Sequence, residues 1–229
     1  MYLYHHPFCP HSRFIRLLLA EYGLEPELVE ERVWERRPEF LALNPAGETP
    51  VIVEEQTPSV PGAIIIAEYL DETRGLALAP HRLLPENPGE RVEVRRLTSW
   101  FHDKMFVEVT EPLVRERIYK RYMSRAQGGG APDATALRMS RNNMRYHLKY
   151  IGWLARARKW LAGERMSQAD LAAAAHISVV DYLGDVPWDE DEYARDWYAR
   201  IKSRPSFRAL LAESIPGMPP SRTYADLDF

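Results

Sequence analysis

The sequence predicts a small α/β layer domain followed by an all-helical domain. Three observations carry this reading. Short apolar runs alternate with helix-period stretches over residues 1–75; Pro80, Pro85 and Pro88 crowd residues 76–90; every patterned segment after that is helical. The divisions that follow are 1–75 for the α/β domain, 76–90 for a linker, 91–215 for the helical domain and 216–229 for a tail.

The first strand is the apolar run 1–4. After a Pro-punctuated turn a helix begins, with Phe14, Ile15, Leu17, Leu18, Leu19 and Tyr22 on its apolar side and Arg13, Arg16 and Glu21 among its polar positions. Gly23 stops it. Pro10 suits the first helical position, where its missing N–H costs nothing. Residues 27–31 read as a second strand, and 38–43 as a short helix entered through Pro38. Residues 44–53, N-P-A-G-E-T-P-V-I-V, give a turn and a buried strand over 51–53. A turn region with Pro58 and Pro61 leads to a third helix over 63–72.

Beyond the linker, an amphipathic helix is expected from about 89 to 125. The break A-Q-G-G-G-A-P follows, then a second long helix from about 132 to 161. Ser167 and Asp170 form a capping box for a helix running to about 183, with Met166 and Leu171 as its hydrophobic staple. An acidic loop around Trp188, a helix over 193–203 and a short one opened by Arg204-Pro-Ser-Phe207 complete the domain.

Composition narrows the function. The chain has no run of eighteen apolar residues, so no membrane insertion is expected, and its start lacks the pattern of a signal peptide. A single cysteine in 229 residues fits a reducing cytoplasm. The net charge of −3 conceals segregation: residues 91–160 carry 16 basic against 6 acidic side chains, net +10. Such a block is a docking surface for an anionic partner or a solvated helical pair offset by acidic neighbours. A net acidic chain without a nucleic-acid-binding motif argues against nucleic acid.

Cys9 stands where the first turn becomes a helix. Unpaired N–H groups and the positive dipole end there favour thiolate, so Cys9 reads as a nucleophile or as a packed thiol. His5, His6 and His11 surround it. Three histidines on one turn are more often surface residues than ligands, so no metal is expected. Trp34, flanked by Arg36 and Arg37, has the composition of an interface anchor. Arg115, Arg117, Lys120, Arg121 and Arg125, with Glu116 breaking the run, are expected to form a basic face at the end of the first long helix. The tail, 223–229, is aromatic and acidic; through Tyr224 and Asp226 it either packs back on the basic helices or meets a partner.

Five motifs in order resemble the glutathione S-transferase superfamily over nearly the whole chain. They are R-x-x-R-L-L-L-A-E-x-G-L from Arg13, N-P-A-G-x-x-P-V from Asn44, A-E-Y-L-D from Ala67, S-x-A-D from Ser167, and R-P-S-F from Arg204. The resemblance implies a thioredoxin-like N-terminal domain, an all-α C-terminal domain, a homodimer and a cis bond between Thr49 and Pro50. It also places Cys9 at the active thiol of the cysteine-type transferases, which implies a glutathione-dependent thioltransferase.

Two departures oppose that activity. In the family, a Glu, Gln or Asp followed by Ser, seven and six residues before the Tyr of the Y-L dipeptide, holds the γ-glutamyl group of glutathione. Counting back from Tyr69 gives Gly62 and Ala63. A charge-assisted bond of that kind contributes roughly 1.5–3 kcal/mol, so its loss weakens binding on the order of tenfold to a hundredfold. The residue after N-P-A-G is Glu48, where the family often has Lys or Gln near the glycyl carboxylate. Cys9, Thr49, Pro50, Gly62 and Ala63 thus read as a vestigial ligand site with no cofactor. The stretch W-E-R-R-P-E-F-L-A-L-N-P-A-G-E, the basic helices and the tail are similar to the FtsZ-localised protein A group of alphaproteobacteria. That likeness implies a non-catalytic adaptor that binds FtsZ polymer at the division site and promotes constriction.

Overall fold

The computed structural model describes residues 1–79 and 82–227; Pro80 of the expected linker and Asp228 and Phe229 of the tail lie outside them. A four-stranded sheet of order β2-β1-β3-β4 forms from β1 (Tyr2–His5), β2 (Glu27–Glu30), β3 (Val51–Val53) and β4 (Val60–Pro61). β1 runs parallel to β2, with Leu3 beside Leu28, and antiparallel to β3, with Leu3 beside Ile52. A parallel pair needs a crossover, which α1 (Pro10–Glu21) provides. α2 (Pro38–Leu43) and α3 (Ala63–Arg74) complete this half.

α1 buries Phe14, Ile15, Leu17, Leu18 and Leu19. Its reading is corrected at Arg13, which was assigned to the polar side yet is fully buried. α1 packs against α3 and, most extensively, against α7 (Gln168–Tyr182), so it is covered on more than one side. Every residue of α7 is buried, and its polar side chains, Asp170, His176, Ser178 and Asp181 among them, are held by hydrogen bonds. The capping box that starts α7 is present. The Asp170 carboxylate accepts from the Ser167 N–H at 3.0 Å, the Leu161 N–H at 2.9 Å and Trp197 Nε1 at 3.0 Å.

α4 (Pro88–Ser99) is capped by Asn87, whose side chain accepts the Gly89 and Glu90 N–H groups. It continues as a π-helical stretch, Trp100–Thr110, into α5 (Glu111–Arg117). Pro112 has no N–H to offer the carbonyls of the preceding turn, and Asn143 Nδ2 on the next helix donates to the Glu108 carbonyl at 3.0 Å. The expected extent of this helix to about 125 is not realised. It ends at Arg117, and Tyr119–Arg121 is a 3₁₀ turn. α6 (Ala134–Ala157), α8 (Glu192–Lys202) and α9 (Arg208–Leu211) follow the expected order, and the tail adds α10 (Arg222–Ala225). Among the described residues, no helix is long and apolar enough to cross a membrane.

Candidate functional site

The cleft between the two halves has a volume of about 670 Å³. Cys9 lies at its floor as the residue preceding α1, with its N–H donating to the His6 carbonyl at 3.0 Å. Its thiol points to the Thr49 carbonyl at 3.7 Å, beside a cis Thr49–Pro50 bond, as the resemblance implies. Burial raises the Cys9 pKa, but hydrogen bonding to His11 and Ser12 outweighs it and holds the thiol at about 7. His11 moves the opposite way: burial lowers its pKa, but the Cys9 partner raises it further. The pair therefore favours thiolate and imidazolium.

The turn over the cleft comes from N-P-A-G. Asn44 Oδ1 accepts the Ala46 N–H at 3.2 Å, its Nδ2 donates to the Glu48 carbonyl at 2.8 Å, and Gly47 takes φ 72°, where a side chain is strained. Glu48 lines the cleft. Gly62 precedes α3 with no side chain to cap it, its N–H donating to the Pro50 carbonyl at 2.9 Å, and Ala63 is buried. Neither offers a polar side chain at this edge.

Trp34, in a 3₁₀ turn, is half-buried. Its ring lies 4.9 Å from Tyr119, 5.6 Å from His6 and 6.5 Å from Tyr122, stacked on the last. Gln127 Nε2 donates to its carbonyl at 3.3 Å. Trp34 thus spans the cleft to the helical half, and Arg36, exposed at φ 48°, lines the same rim.

The basic face expected from helical spacing does not form. Arg117 donates to the Leu183 carbonyl at 2.9 Å and to Asp185 at 2.6 Å. Lys120 pairs with the buried Glu116 at 2.6 Å, and Glu116 also accepts the Asp133 N–H at 2.7 Å, tying α5 to the start of α6. Arg115 lies 3.9 Å from Glu111. Arg37 binds the fully buried Glu31. Arg121 and Arg125 are exposed, beyond the end of α5. The tail packs back, though not on the basic helices: Tyr224 is fully buried, donates to the Leu210 carbonyl at 2.7 Å and meets the Tyr182 ring at 5.0 Å. Asp226 is exposed, and its carbonyl accepts from Lys202 at 2.6 Å.

The expected surface location of His5 and His6 is also corrected, because both are buried. Burial, then repulsion from Arg16, lowers the His5 pKa from 6.5 to about 3; burial, then repulsion from His5, Arg13 and Arg32, does the same for His6. Both folded values lie below the unfolded one. Their stabilising contribution is therefore complete above pH 6.5 and is lost as pH falls from there toward 3. Urea titrations are expected to show these two histidines withdrawing stability as pH falls through the middle of that window, by roughly 1.4 kcal/mol per pH unit each. An unfolding midpoint that holds steady across the window contradicts this.

Sequence reasoning missed Tyr119, which closes the cleft against Trp34, and His102 and His176, which lie behind His11. No local signal marks them, since each owes its place to packing between helices.

The glutathione S-transferase N-terminal domain family matches residues 8–73, and the C-terminal domain family matches residues 101–205. The chain belongs to the glutathione S-transferase family. Within this family it is 45% identical to FtsZ-localized protein A of Caulobacter vibrioides, over 99% of this chain and 97% of that one. A crystal structure described as a glutathione S-transferase from Sinorhizobium meliloti is 58% identical, covers 100% of this chain and 99% of its own, and superimposes with a TM-score of 0.98. The structure of FzlA from C. crescentus gives 46% identity, the same coverage and a TM-score of 0.90. The transferase fold and the likeness to the FtsZ-localized group thus agree with the motifs from Arg13 to Phe207.

Proposed function

We propose that this chain is a non-catalytic, homodimeric adaptor that binds FtsZ polymer at the division site in the cytoplasm and promotes constriction. The observation that carries the reading is the 45% identity, end to end, with a protein named for its localisation with FtsZ. The cleft supports it. Glu48 places an anion there, and Gly62 and Ala63 offer no side chain for a γ-glutamyl group.

The proposed docking surface combines the rim formed by Trp34, Arg36 and Tyr122 with the exposed Arg121 and Arg125 in the segment after α5, an aromatic and basic mixture suited to an acidic filament. Homodimerisation is supported by exposed apolar side chains outside the cleft: Ile64 and Ile65 on α3, Val92 on α4, and Met139, Tyr146 and Trp153 at seven-residue spacing on α6. Co-sedimentation with GTP-assembled FtsZ tests the proposal. The Arg121→Glu/Arg125→Glu double variant is expected to lose most of the pelleted fraction, and Trp34→Ala to reduce it. These two arginines make better probes than Arg117, whose loss leaves Asp185 with Arg141 alone and the Leu183 carbonyl without its guanidinium partner. Trp153→Glu is expected to give a monomer by light scattering. Pelleting that survives the double variant contradicts the docking surface.

A second reading, a thioltransferase using Cys9, is favoured by a thiol held at about 7 beside His11 at the cleft floor. It requires glutathione to bind and to form a mixed disulfide on Cys9. Calorimetry at about millimolar glutathione separates the two readings, since the adaptor reading expects no heat of binding.

A further inference from the structure

We propose that His11, His102 and His176 form a binding site for a divalent transition metal of the zinc class. One ring nitrogen from each lies within 4.8 Å of the other two. Three elements converge to place them: His11 comes from the first turn of α1, His102 from the π-helical stretch and His176 from the middle of α7. π-helical turns recur at functional sites because the wider turn re-aims side chains.

The two inner rings are close to ligand spacing already. His102 Nδ1 and His176 Nε2 are 3.1 Å apart. Two imidazoles on a tetrahedral zinc, each about 2.0–2.1 Å from the ion, put their nitrogens roughly 3.4 Å apart. Metal entry therefore asks for a small widening and exchanges one hydrogen bond for two coordinate bonds. His176 is oriented from behind: its Nδ1 lies 2.9 Å from Thr110 Oγ1. An Nδ1–H donated to Thr110 leaves the Nε2 lone pair facing His102, the arrangement in which an outer hydrogen bond fixes a metal-binding imidazole.

His102 is 3% exposed, and its Nε2, which diverges from the shared Nδ1, has no hydrogen-bond partner; this nitrogen takes the ring proton when Nδ1 binds the ion.

His11 supplies the entrance. It lines the cleft, and its ring centre is 4.8 Å from that of His102 and 5.5 Å from that of His176; its Nε2 donates to the His102 carbonyl at 3.2 Å and the ring also bonds Cys9, so metal entry displaces a proton from His11. Three imidazole donors suit zinc, copper, nickel or cobalt over magnesium or calcium, and the position toward the cleft stays open for water or a ligand.

The test uses the full chain, stripped with a chelator and titrated with Co²⁺ while the visible absorption of tetrahedral cobalt is followed. One equivalent per chain, displaced by Zn²⁺, is expected. His11→Gln changes a cleft-wall residue outside the packed core and is expected to abolish the band. Thr110→Val removes the outer hydrogen bond and is expected to weaken binding roughly tenfold or more. Cys9→Ser is expected to leave the band in place. An absent band in the unaltered protein, or one that persists in His11→Gln, overturns the site. Loss of the band in Cys9→Ser overturns the assignment to three nitrogens.

Discussion

Asp170→Ala is expected to destabilise the chain by about 4 kcal/mol or more, near the upper end of single-substitution effects. The carboxylate is fully buried, and it accepts from the Leu161 N–H, the Ser167 N–H and hydroxyl, and Trp197 Nε1. Alanine strands donors from three residues that are themselves buried, each at about 1–3 kcal/mol. The contact with Trp197 also ties the start of α7 to α8, so the loss reaches beyond one helix cap. Asp170→Asn keeps one accepting oxygen and turns a donor toward the other group of donors, so an intermediate loss is expected. Urea unfolding measures both. An alanine variant within about 1 kcal/mol of the unaltered chain contradicts this account of how α7 is anchored.

Arg13→Ala is expected to cost about 3–5 kcal/mol. The guanidinium is fully buried between the two halves of the molecule. Its Nε donates to the Pro7 carbonyl at 2.7 Å, one terminal nitrogen to Ser178 Oγ at 2.8 Å and the other to Glu213 at 3.3 Å. The Phe8 ring sits 4.5 Å beneath it. One side chain thus joins the turn that carries Cys9 to α7 and to the segment after α9. Lysine keeps the charge but lacks the planar fork, so Arg13→Lys is expected to recover only a minor part of the loss. An Arg13→Lys protein as stable as the original shows that charge alone suffices and contradicts the argument from geometry.

Local punctuation made the N-terminal half legible. Proline fixes the start of α2, and the apolar run flanked by Pro50 and polar residues fixes β3; both came out at their expected bounds, Pro38–Leu43 and Val51–Val53. Arg13 was misread because helical periodicity was judged against one covering surface, whereas α1 has two. The end of α5 was misread for a related reason. The charged spacing of 117, 121 and 125 continues a helical pattern, but Tyr119 and Tyr122 turn to meet Trp34, some ninety residues earlier in the chain. In the site, Cys9, Glu48, Gly62 and Ala63 were legible through motif positions. The approach of His102 and His176 to His11 was not, since it depends on how α1, α7 and the π-helical stretch pack.

These corrections narrow the proposed docking surface. Arg37, Arg117, Lys120 and Glu116 are held by neighbours, and Tyr224 is in the core. What remains is the rim around Trp34 with the exposed Arg36, and the exposed Arg121 and Arg125 in the segment after α5.

The most direct test of the central claim is co-sedimentation of the intact chain with GTP-assembled FtsZ filaments across a salt series, with and without glutathione. The account predicts saturable pelleting that weakens as salt shortens the reach of the basic rim and that does not change when glutathione is added. Failure to pellet at low salt, or pelleting abolished by glutathione, would contradict it.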